Sequence, residues 1–144
     1  MIKLKMMLSL VLVTLMSAVW IGDEVNADNE DVGKVYFLRS TGFAGSAAGF
    51  NMFIDDAFVC KLNNKSYSIH EVPVGTHYIS VQFGGKKSKE KAEKLEINVE
   101  KDKATYVQVV FETGALVNNV LCEEMLEKSA IEKMEKLKED TKCL

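Results

Sequence analysis

The sequence predicts an all-β protein, an antiparallel β-sandwich of about seven strands followed by one C-terminal α-helix. In several short runs, apolar residues recur at every second position, which is the period of a half-buried strand. Turn-forming residues separate these runs at intervals of about 8–12 residues, a spacing typical of sandwiches. Because no helical pattern falls between successive runs, a parallel sheet with crossover helices is not expected.

The predicted strands share short length and apolar or alternating character. Asp55-Asp56 and Asn63-Asn64-Lys65 each mark a turn, and Pro73-Val74-Gly75 predicts a tight reversal because proline presets the backbone angle of a turn. The clearest alternation runs from His77 to Phe83, with every second residue apolar or aromatic. The strand runs are, in order, 35–38, 50–54, 58–62, 67–72, 77–83, 95–99 and 105–112.

The last segment of the chain predicts a helix over about 130–141. Ser129 and Glu132 have the spacing of a capping box, in which a serine side chain accepts a hydrogen bond from a free backbone N–H. Ile131, Met134 and Leu137 then fall on one helical face. A helix of about twelve residues is marginal alone, so we expect it to pack on an edge or a face of the sheet.

The first 27 residues are expected to be a cleaved signal peptide. Lys3 and Lys5 provide a positive start, and a nearly apolar run over 6–21 follows. This run falls short of the roughly 20 residues that a membrane-spanning helix needs. Val25-Asn26-Ala27 has the small-residue pattern of a cleavage site after Ala27. We therefore predict a secreted or periplasmic protein; an uncleaved leader that tethers it to a membrane is the alternative.

The composition is that of one globular domain after this leader. Apolar residues make up 47% and charged residues 27% of the 144, which excludes a disordered chain. The net charge of -3 shows no basic excess, so nucleic acid is not predicted as a partner. We divide the chain into a signal peptide over 1–27, a sandwich domain over 28–122, and a helix and tail over 123–144.

Four stretches carry a resemblance to a known family: Gly33–Arg39, Phe50–Asp56, Lys61-Leu62 with Tyr67, and Val72–His77. They resemble domain of unknown function 2846, which has an opening strand ending in Arg, a "V-x-V-D-G" strand, a Leu–Tyr element and a "P-x-G-x-H" turn. The turn is also similar to that of PEGA modules of surface proteins.

This resemblance covers about residues 33–112, and it implies a small exported β-sandwich with no established reaction. The sequence departs from the family pattern in two ways. Asp56 stands where the family has Gly, and the cysteine of a lipoprotein is absent.

The two histidines are the candidate metal ligands. If Pro73-Val74-Gly75 is a tight reversal, His70 and His77 lie near each other across a hairpin, and an imidazole pair can bind zinc or copper. No third ligand stands at a recognisable spacing. The more ordinary interpretation is that His77 fills a partly covered position near the turn, so we predict no metal or other cofactor.

The three cysteines predict one disulfide and one leftover thiol in an oxidising compartment. Cys122 and Cys143 are the preferred pair, because the predicted helix and the seven residues before it can bring these two together. Cys60–Cys122 is the rival pair, and three reduced thiols would argue against export. Cys60 shares a strand face with Phe58 and Leu62, which predicts a buried, inert thiol.

Two loops are candidate contact surfaces. The small-residue stretch Gly42–Gly49 predicts a flexible connector, with Phe43 and Phe50 as binding handles if they are exposed. A second loop carries five lysines that would attract an anionic surface, although a solvated hairpin tip explains them as well. Those lysines are Lys86, Lys87, Lys89, Lys91 and Lys94.

These observations together predict an exported, non-catalytic binding or interaction module. A G-x-S-x-G motif is absent, and the paired acids are better explained by turns. The expected partners are other envelope proteins or glycans, and no particular oligomeric state is indicated. The alternative from another class is a small metal-handling protein or enzyme that uses His70 and His77.

Overall fold

The computed structural model describes residues 31–43, 45–83, 94–113 and 118–143, and the predicted signal peptide over 1–27 lies outside them. The described residues form two β-sheets and one α-helix, which confirms the predicted β-sandwich with a single C-terminal helix. The elements are β1 Val32–Arg39, β2 Phe50–Ile54, β3 Ala57–Leu62, β4 Ser66–Pro73, β5 Gly75–Gln82, β6 Leu95–Val99, β7 Ala104–Thr113, β8 Asn118–Met125, α1 Glu127–Met134 and β9 Lys138–Glu139.

The two sheets contain more strands than predicted, and they are not wholly antiparallel. One sheet has the order β8-β7-β1-β4-β9, and the other has the order β3-β2-β5-β6. The seven predicted runs correspond to β1 through β7, and β8 and β9 are additional. β1 pairs with β7 and β4 pairs with β9 in parallel, whereas the remaining pairs are antiparallel.

The reversal at Pro73-Val74-Gly75 connects the two sheets and does not close a hairpin. β4 belongs to the five-stranded sheet and β5 to the four-stranded sheet. Gly75 has a φ of 139°, a region that residues with a side chain rarely adopt. The Val74 N–H donates to the carbonyl of Asp31 at 2.8 Å, which secures the crossing. The tight reversal is therefore present, but it moves the chain from one layer to the other.

The core lies between the two sheets, and the predicted alternation explains it. Ile79 and Val81 of β5 are buried. Val107 of β7, in the other sheet, is buried in the same core cluster. His77 is half-buried at the end of the same inward face. Since side chains of a strand alternate between faces, the period-two pattern correctly predicted which residues point inward.

The helix begins earlier and is shorter than predicted. Ser129 lies inside α1, Leu126 is the N-cap residue, and no side chain caps the helix. Ala130 is fully buried against the outer face of the five-stranded sheet, where it joins Leu38 and Tyr106. The burial of this apolar face outweighs a capping bond of about 1 kcal/mol, which explains why the helix does not start at the predicted capping box.

The helix also moves the chain across the five-stranded sheet. β8, which precedes α1, is at one edge, and β9, which follows α1, lies beside β4 at the other edge. The C-terminal segment, residues 138–143, therefore ends on the side of the sandwich where β3 and β4 meet.

No helix in the described ranges is long and apolar enough to cross a membrane.

Candidate functional site

A groove opens on one side of the sandwich, where β3 at the edge of one sheet faces β4 of the other. Its volume is about 720 Å³. The lining combines branched apolar side chains with a few charged and imidazole groups, a mixture typical of binding sites. The lining residues are Lys34, Ile54, Asp55, Ala57, Val59, Ile69, His70, Glu71, Val72, Pro73 and His77.

Two strand edges border this groove. β3 pairs only with β2 among the described strands. β4 pairs on its outer side with β9, but only at Ser66 and Tyr67. From Ser68 to Pro73, the outer edge of β4 has no ladder partner within the described residues. Such edges present backbone N–H and C=O groups that can pair with another chain.

The turn at the groove rim is held by Asp55, which the sequence indicated only as a turn residue. Asp55 and Asp56 have φ values of 50° and 64°, as both central residues of a type I′ hairpin turn require. Asp56 thus occupies the position where the family pattern has Gly. The Asp55 carboxylate accepts the Tyr78 N–H at 2.9 Å, and its other oxygen lies 2.6 Å from Nδ1 of His77.

His77 is a structural side chain, and both of its ring nitrogens are engaged. Nδ1 faces the Asp55 carboxylate, and Nε2 lies 2.8 Å from the carbonyl of Pro73. Because both partners are acceptors, only the doubly protonated ring satisfies both. Burial lowers the pKa of His77, but the bonds to Asp55 and to the Pro73 carbonyl raise it above its usual value overall. In this doubly protonated form, His77 has no lone pair to offer a metal.

His70 lies in the other sheet, so the two histidines do not face each other across a hairpin as predicted. It is buried, and its Nε2 lies 2.9 Å from the Ser68 hydroxyl and 3.9 Å from the Cys60 sulfur. Burial lowers the pKa of His70, so the ring is neutral at pH 7. The inward polar positions of Ser68 and His70 on one strand were the available sequence signal for this polar pocket in the core.

The disulfide joins Cys60 and Cys143, so both pairs considered from the sequence are wrong. Cys122 is buried on β8, opposite Val109. Because α1 carries the chain away from β8 and across the sheet, Cys143 arrives beside β3 rather than back at Cys122. The prediction of one disulfide and one leftover thiol is confirmed. Burial raises the pKa of the Cys122 thiol to about 12, which makes it unreactive.

The predicted shared face of Phe58, Cys60 and Leu62 is only partly correct. Cys60 and Leu62 are buried, but Phe58 is 60% exposed. The register between β2 and β3 shifts at Met52/Phe53, which brings Phe58 opposite Phe53 instead of into the core. A bulge changes which face a residue occupies, and the sequence pattern carried no sign of it.

Arg39 is a buried side chain whose role the sequence analysis missed. Its guanidinium donates to the carbonyls of Gly45, Ala48 and Leu62 at 2.7–2.8 Å. It also lies over the ring of Phe50, 3.5 Å from the ring centre. Burial lowers the pKa of Arg39 to about 10, so the group stays charged at pH 7. Arg39 thereby ties the connector over 42–49 to the core.

The residues predicted to form contact surfaces differ in their exposure. Phe43 is fully exposed, as a binding handle requires. Phe50 is fully buried and packs on Phe83 with ring centres 4.9 Å apart, so it is not a surface contact. Its strand position turns the ring inward, where Arg39 covers it. Lys86, Lys87 and Lys89 lie outside the described residues.

The comparison with protein-family models gives one match over most of the described sandwich. Residues 29–121 match the model described as "Protein of unknown function (DUF2846)". No curated protein matches the chain. The similarity of the turn to PEGA modules stays a prediction. Since the match covers more than half of the chain and includes β1 through β7, the chain belongs to the DUF2846 family of unknown function.

Proposed function

We propose that this chain is an exported, non-catalytic β-sandwich that binds an extended segment of another envelope or extracellular protein in the groove between β3 and β4. The observation that carries the proposal is the pair of strand edges that border one groove. A peptide in extended conformation can pair its backbone with such an edge and place alternate side chains in the groove.

The chemistry of the groove favours an extended apolar peptide over a glycan. Ile54, Val59 and Ile69 provide branched apolar walls, and the charges of Lys34 and Glu71 lie opposite each other on neighbouring strands. Branched apolar walls accept side chains at every second position of a strand. The expected ligand therefore has small or branched apolar residues alternating with polar ones.

The engagement of Asp55 and His77 supports a non-catalytic role. Asp55 and His77 bind each other and neighbouring backbone groups. A general base needs a free lone pair directed at its substrate, and both ring nitrogens of His77 are already engaged by Asp55 and the Pro73 carbonyl. The remaining thiol, Cys122, is buried away from the groove on β8.

Two features support export. The sequence over 1–27 has the charge, length and cleavage pattern of a signal peptide. The Cys60–Cys143 disulfide would persist in an oxidising compartment and be reduced in a typical cytosol.

Binding is tested with a displayed library of unstructured decapeptides panned against the purified, oxidised protein. We expect selected peptides to show alternating apolar residues and to shift the backbone amide signals of Val59, Ile69 and Glu71. If no peptide is selected and envelope glycans shift these signals instead, the ligand of the groove is a glycan and the peptide proposal is wrong.

Val59→Lys tests the position of the site. Lysine adds a charge to the apolar wall of the groove, so we expect affinity for the selected peptides to fall at least tenfold, about 1.4 kcal/mol. Asn98→Lys is the matched control because Asn98 is exposed on β6, at the opposite edge of the same sheet. Equal losses in both variants would contradict binding in the groove.

Export is tested by the intact mass of the natively expressed protein after alkylation in denaturant without reductant. We expect a mass that begins at Asp28 and carries one alkyl group, at Cys122. A full-length mass with one alkyl group would indicate a membrane-tethered protein. A full-length mass with three alkyl groups would contradict export altogether.

A further inference from the structure

The disulfide and His70 form a buried cluster of donor atoms beside the groove, which His70 also lines. The two sulfurs and the His70 nitrogen all lie within 4.8 Å of one another. Cys60, Cys143 and His70 are each less than one-tenth exposed. The Ser68 hydroxyl lies 2.9 Å from His70 Nε2 and 3.9 Å from the Cys60 sulfur, so a fourth polar group faces the same point.

We propose that reduction of the disulfide converts this cluster into a binding site for a borderline-soft divalent cation, Zn²⁺, with Cys60, Cys143 and His70 as ligands. Two thiolates and one imidazole are a donor set that zinc prefers, and a water molecule or the Ser68 hydroxyl completes a tetrahedron. The site differs from the one expected from the sequence, because His77 takes no part in it.

The distance between the Cys60 sulfur and His70 Nε2 is close to that of two ligands on a tetrahedral zinc ion. With Zn–S near 2.3 Å and Zn–N near 2.05 Å, a tetrahedral angle puts sulfur and nitrogen about 3.6 Å apart. The Cys60 sulfur and His70 Nε2 are 3.9 Å apart. Two thiolates on the same ion lie about 3.8 Å apart, so the sulfur of Cys143 has to move away from that of Cys60.

The C-terminal segment can allow this movement. It is attached to the sandwich by few backbone bonds, among them Lys138 N–H to the Lys65 carbonyl and Asp140 N–H to the Tyr67 carbonyl. Cys60, by contrast, is fixed within β3. The displacement needed after reduction therefore falls on Cys143, and β3 and β4 stay as they are.

The groove provides the entry path. His70 lines the groove, and its Nε2 lies 3.9 Å from the Cys60 sulfur, so the groove leads toward the cluster. A neutral imidazole is the form that coordinates zinc. A site of this kind needs an entry path and suitable protonation of its ligands.

The two states of the cluster exclude each other. Reduction of the S–S bond consumes two electrons and two protons from an external dithiol, which is itself oxidised to a disulfide. The two thiols formed then release two protons as the sulfurs bind Zn²⁺. In the oxidised protein no thiolate exists, so the ion has only one ligand, His70. The cluster therefore binds metal only under reducing conditions.

The experiment is a titration of the full protein with Co²⁺, a spectroscopic substitute for Zn²⁺, in its reduced and oxidised forms under anaerobic conditions. We expect the reduced protein to bind one Co²⁺ with thiolate-to-metal charge-transfer bands, which Zn²⁺ then displaces. About two protons should be released for each Zn²⁺ bound at pH 7. The oxidised protein should show neither the bands nor proton release.

Four variants locate the site. Cys143→Ser and His70→Gln should each abolish stoichiometric binding by the reduced protein. Cys122→Ala is the matched thiol control and His77→Gln the matched histidine control, and both should retain the bands. Bands that survive in Cys143→Ser, or that are lost in Cys122→Ala alone, would overturn the assignment.

The comparison of wild-type protein in its two redox states keeps the proposal testable if a variant does not fold. A reduced wild-type protein that stays folded by circular dichroism but binds no Co²⁺ would overturn the proposal. That result would leave the peptide groove intact, since peptide binding is measured on the oxidised form.

Discussion

At the scale of single residues, the pair of His77 and Asp55 shows how one side chain can hold two layers at their junction. His77 bonds to a turn of the four-stranded sheet through Asp55 and to the end of β4 through the Pro73 carbonyl. The carboxylate in turn accepts a backbone N–H of β5. The imidazolium therefore links the β2–β3 turn to the crossing from β4 to β5.

Asp55→Asn should lower the stability of the protein in a pH-dependent way. The pKa of Asp55 is lowered, chiefly by its bond to His77, and that of His77 is raised. Their contribution is therefore complete between about pH 4 and pH 6.5. It is lost as pH rises through the raised pKa of His77 or falls through the lowered pKa of Asp55.

Because the Asp55 carboxylate is 48% exposed, we expect a loss of about 1 kcal/mol or less at pH 6. Asparagine tolerates a positive φ, so the turn should survive. Urea unfolding at pH 6 and pH 9 measures the difference, which should shrink at pH 9. Asp31→Asn, at an exposed pair with Lys101, is the control. A loss that does not change with pH would contradict the ionised pair.

Arg39 is expected to contribute more than any ion pair on the surface. Arg39→Met would leave the carbonyls of Gly45, Ala48 and Leu62 without their donor. The bond to the Leu62 carbonyl is buried and the other two are partly buried. Because an unsatisfied buried acceptor costs about 1–3 kcal/mol, the free energy of unfolding should fall by about 2 kcal/mol or more. Lys34→Met on the same strand, where the side chain is exposed, should change it by about 0.5 kcal/mol or less. Similar effects in the two variants would refute the role of Arg39.

At the scale of secondary-structure elements, the position of α1 is set by its buried face and not by the capping residues in its sequence. Ala130 is buried against Leu38 and Tyr106, and Met134 and Leu137 are partly buried around them. Ser129, which had been expected to start the helix, lies within its first turn. An eight-residue helix of this kind is stable only through its contact with the sheet.

Two neighbouring substitutions separate packing from capping in α1. Ala130→Glu places a charge against the sheet and should lower the free energy of unfolding by about 3 kcal/mol or more. Ser129→Ala should change it by about 0.5 kcal/mol or less, because alanine is a good helix former and no capping bond is lost. Chemical unfolding followed by circular dichroism measures both. A large effect of Ser129→Ala would show that the capping box forms after all.

The elements predicted correctly are those whose evidence is local. Ile79 and Val81 stand at every second position of β5, and Ile97 and Val99 do so in β6. This pattern follows from burial of one sheet face, so the sequence reveals it. The partners of a strand depend on the path of the whole chain. The parallel pairing of β1 with β7 joins residues about 70 positions apart, and no period-two pattern indicates which strands are neighbours.

The candidate site was predicted less well because it depends on pairing between distant segments. Cys143 meets Cys60 only because α1 crosses the sheet and β9 lies along β4. Arg39 is buried because carbonyls from three separate positions converge on it. The residues themselves were visible in the sequence, but their neighbours were not.

At the scale of the whole molecule, the disulfide connects the two sheets near the end of the described chain. Cys60 belongs to β3 of the four-stranded sheet, and Cys143 follows β9 of the five-stranded sheet. The two residues are 83 positions apart. In the chain-entropy description, a cross-link closing a loop of this size restricts the unfolded state by about 4.5 kcal/mol.

Reduction should therefore destabilise the whole sandwich rather than only the C-terminal segment. We expect the reduced protein to unfold with a free energy about 2–4 kcal/mol lower than the oxidised protein, measured with urea in the presence of a chelator. Cys122→Ala should show the same difference between its two redox states. A difference below about 1 kcal/mol in both proteins would mean that the disulfide fixes only the segment over 138–143.

The position of the disulfide also decides how the protein responds to a mechanical load. A force applied at Val32 and Cys143 is transmitted through the S–S bond to Cys60, so the 82 residues between the two cysteines cannot be stretched out. β1 takes the load at the other end, held between β4 and β7 along most of its length. A pull along its axis has to shear both ladders at once. While the disulfide is intact, most of the sandwich is thus shielded from extension, and only β1, β2 and part of β3 can be drawn out.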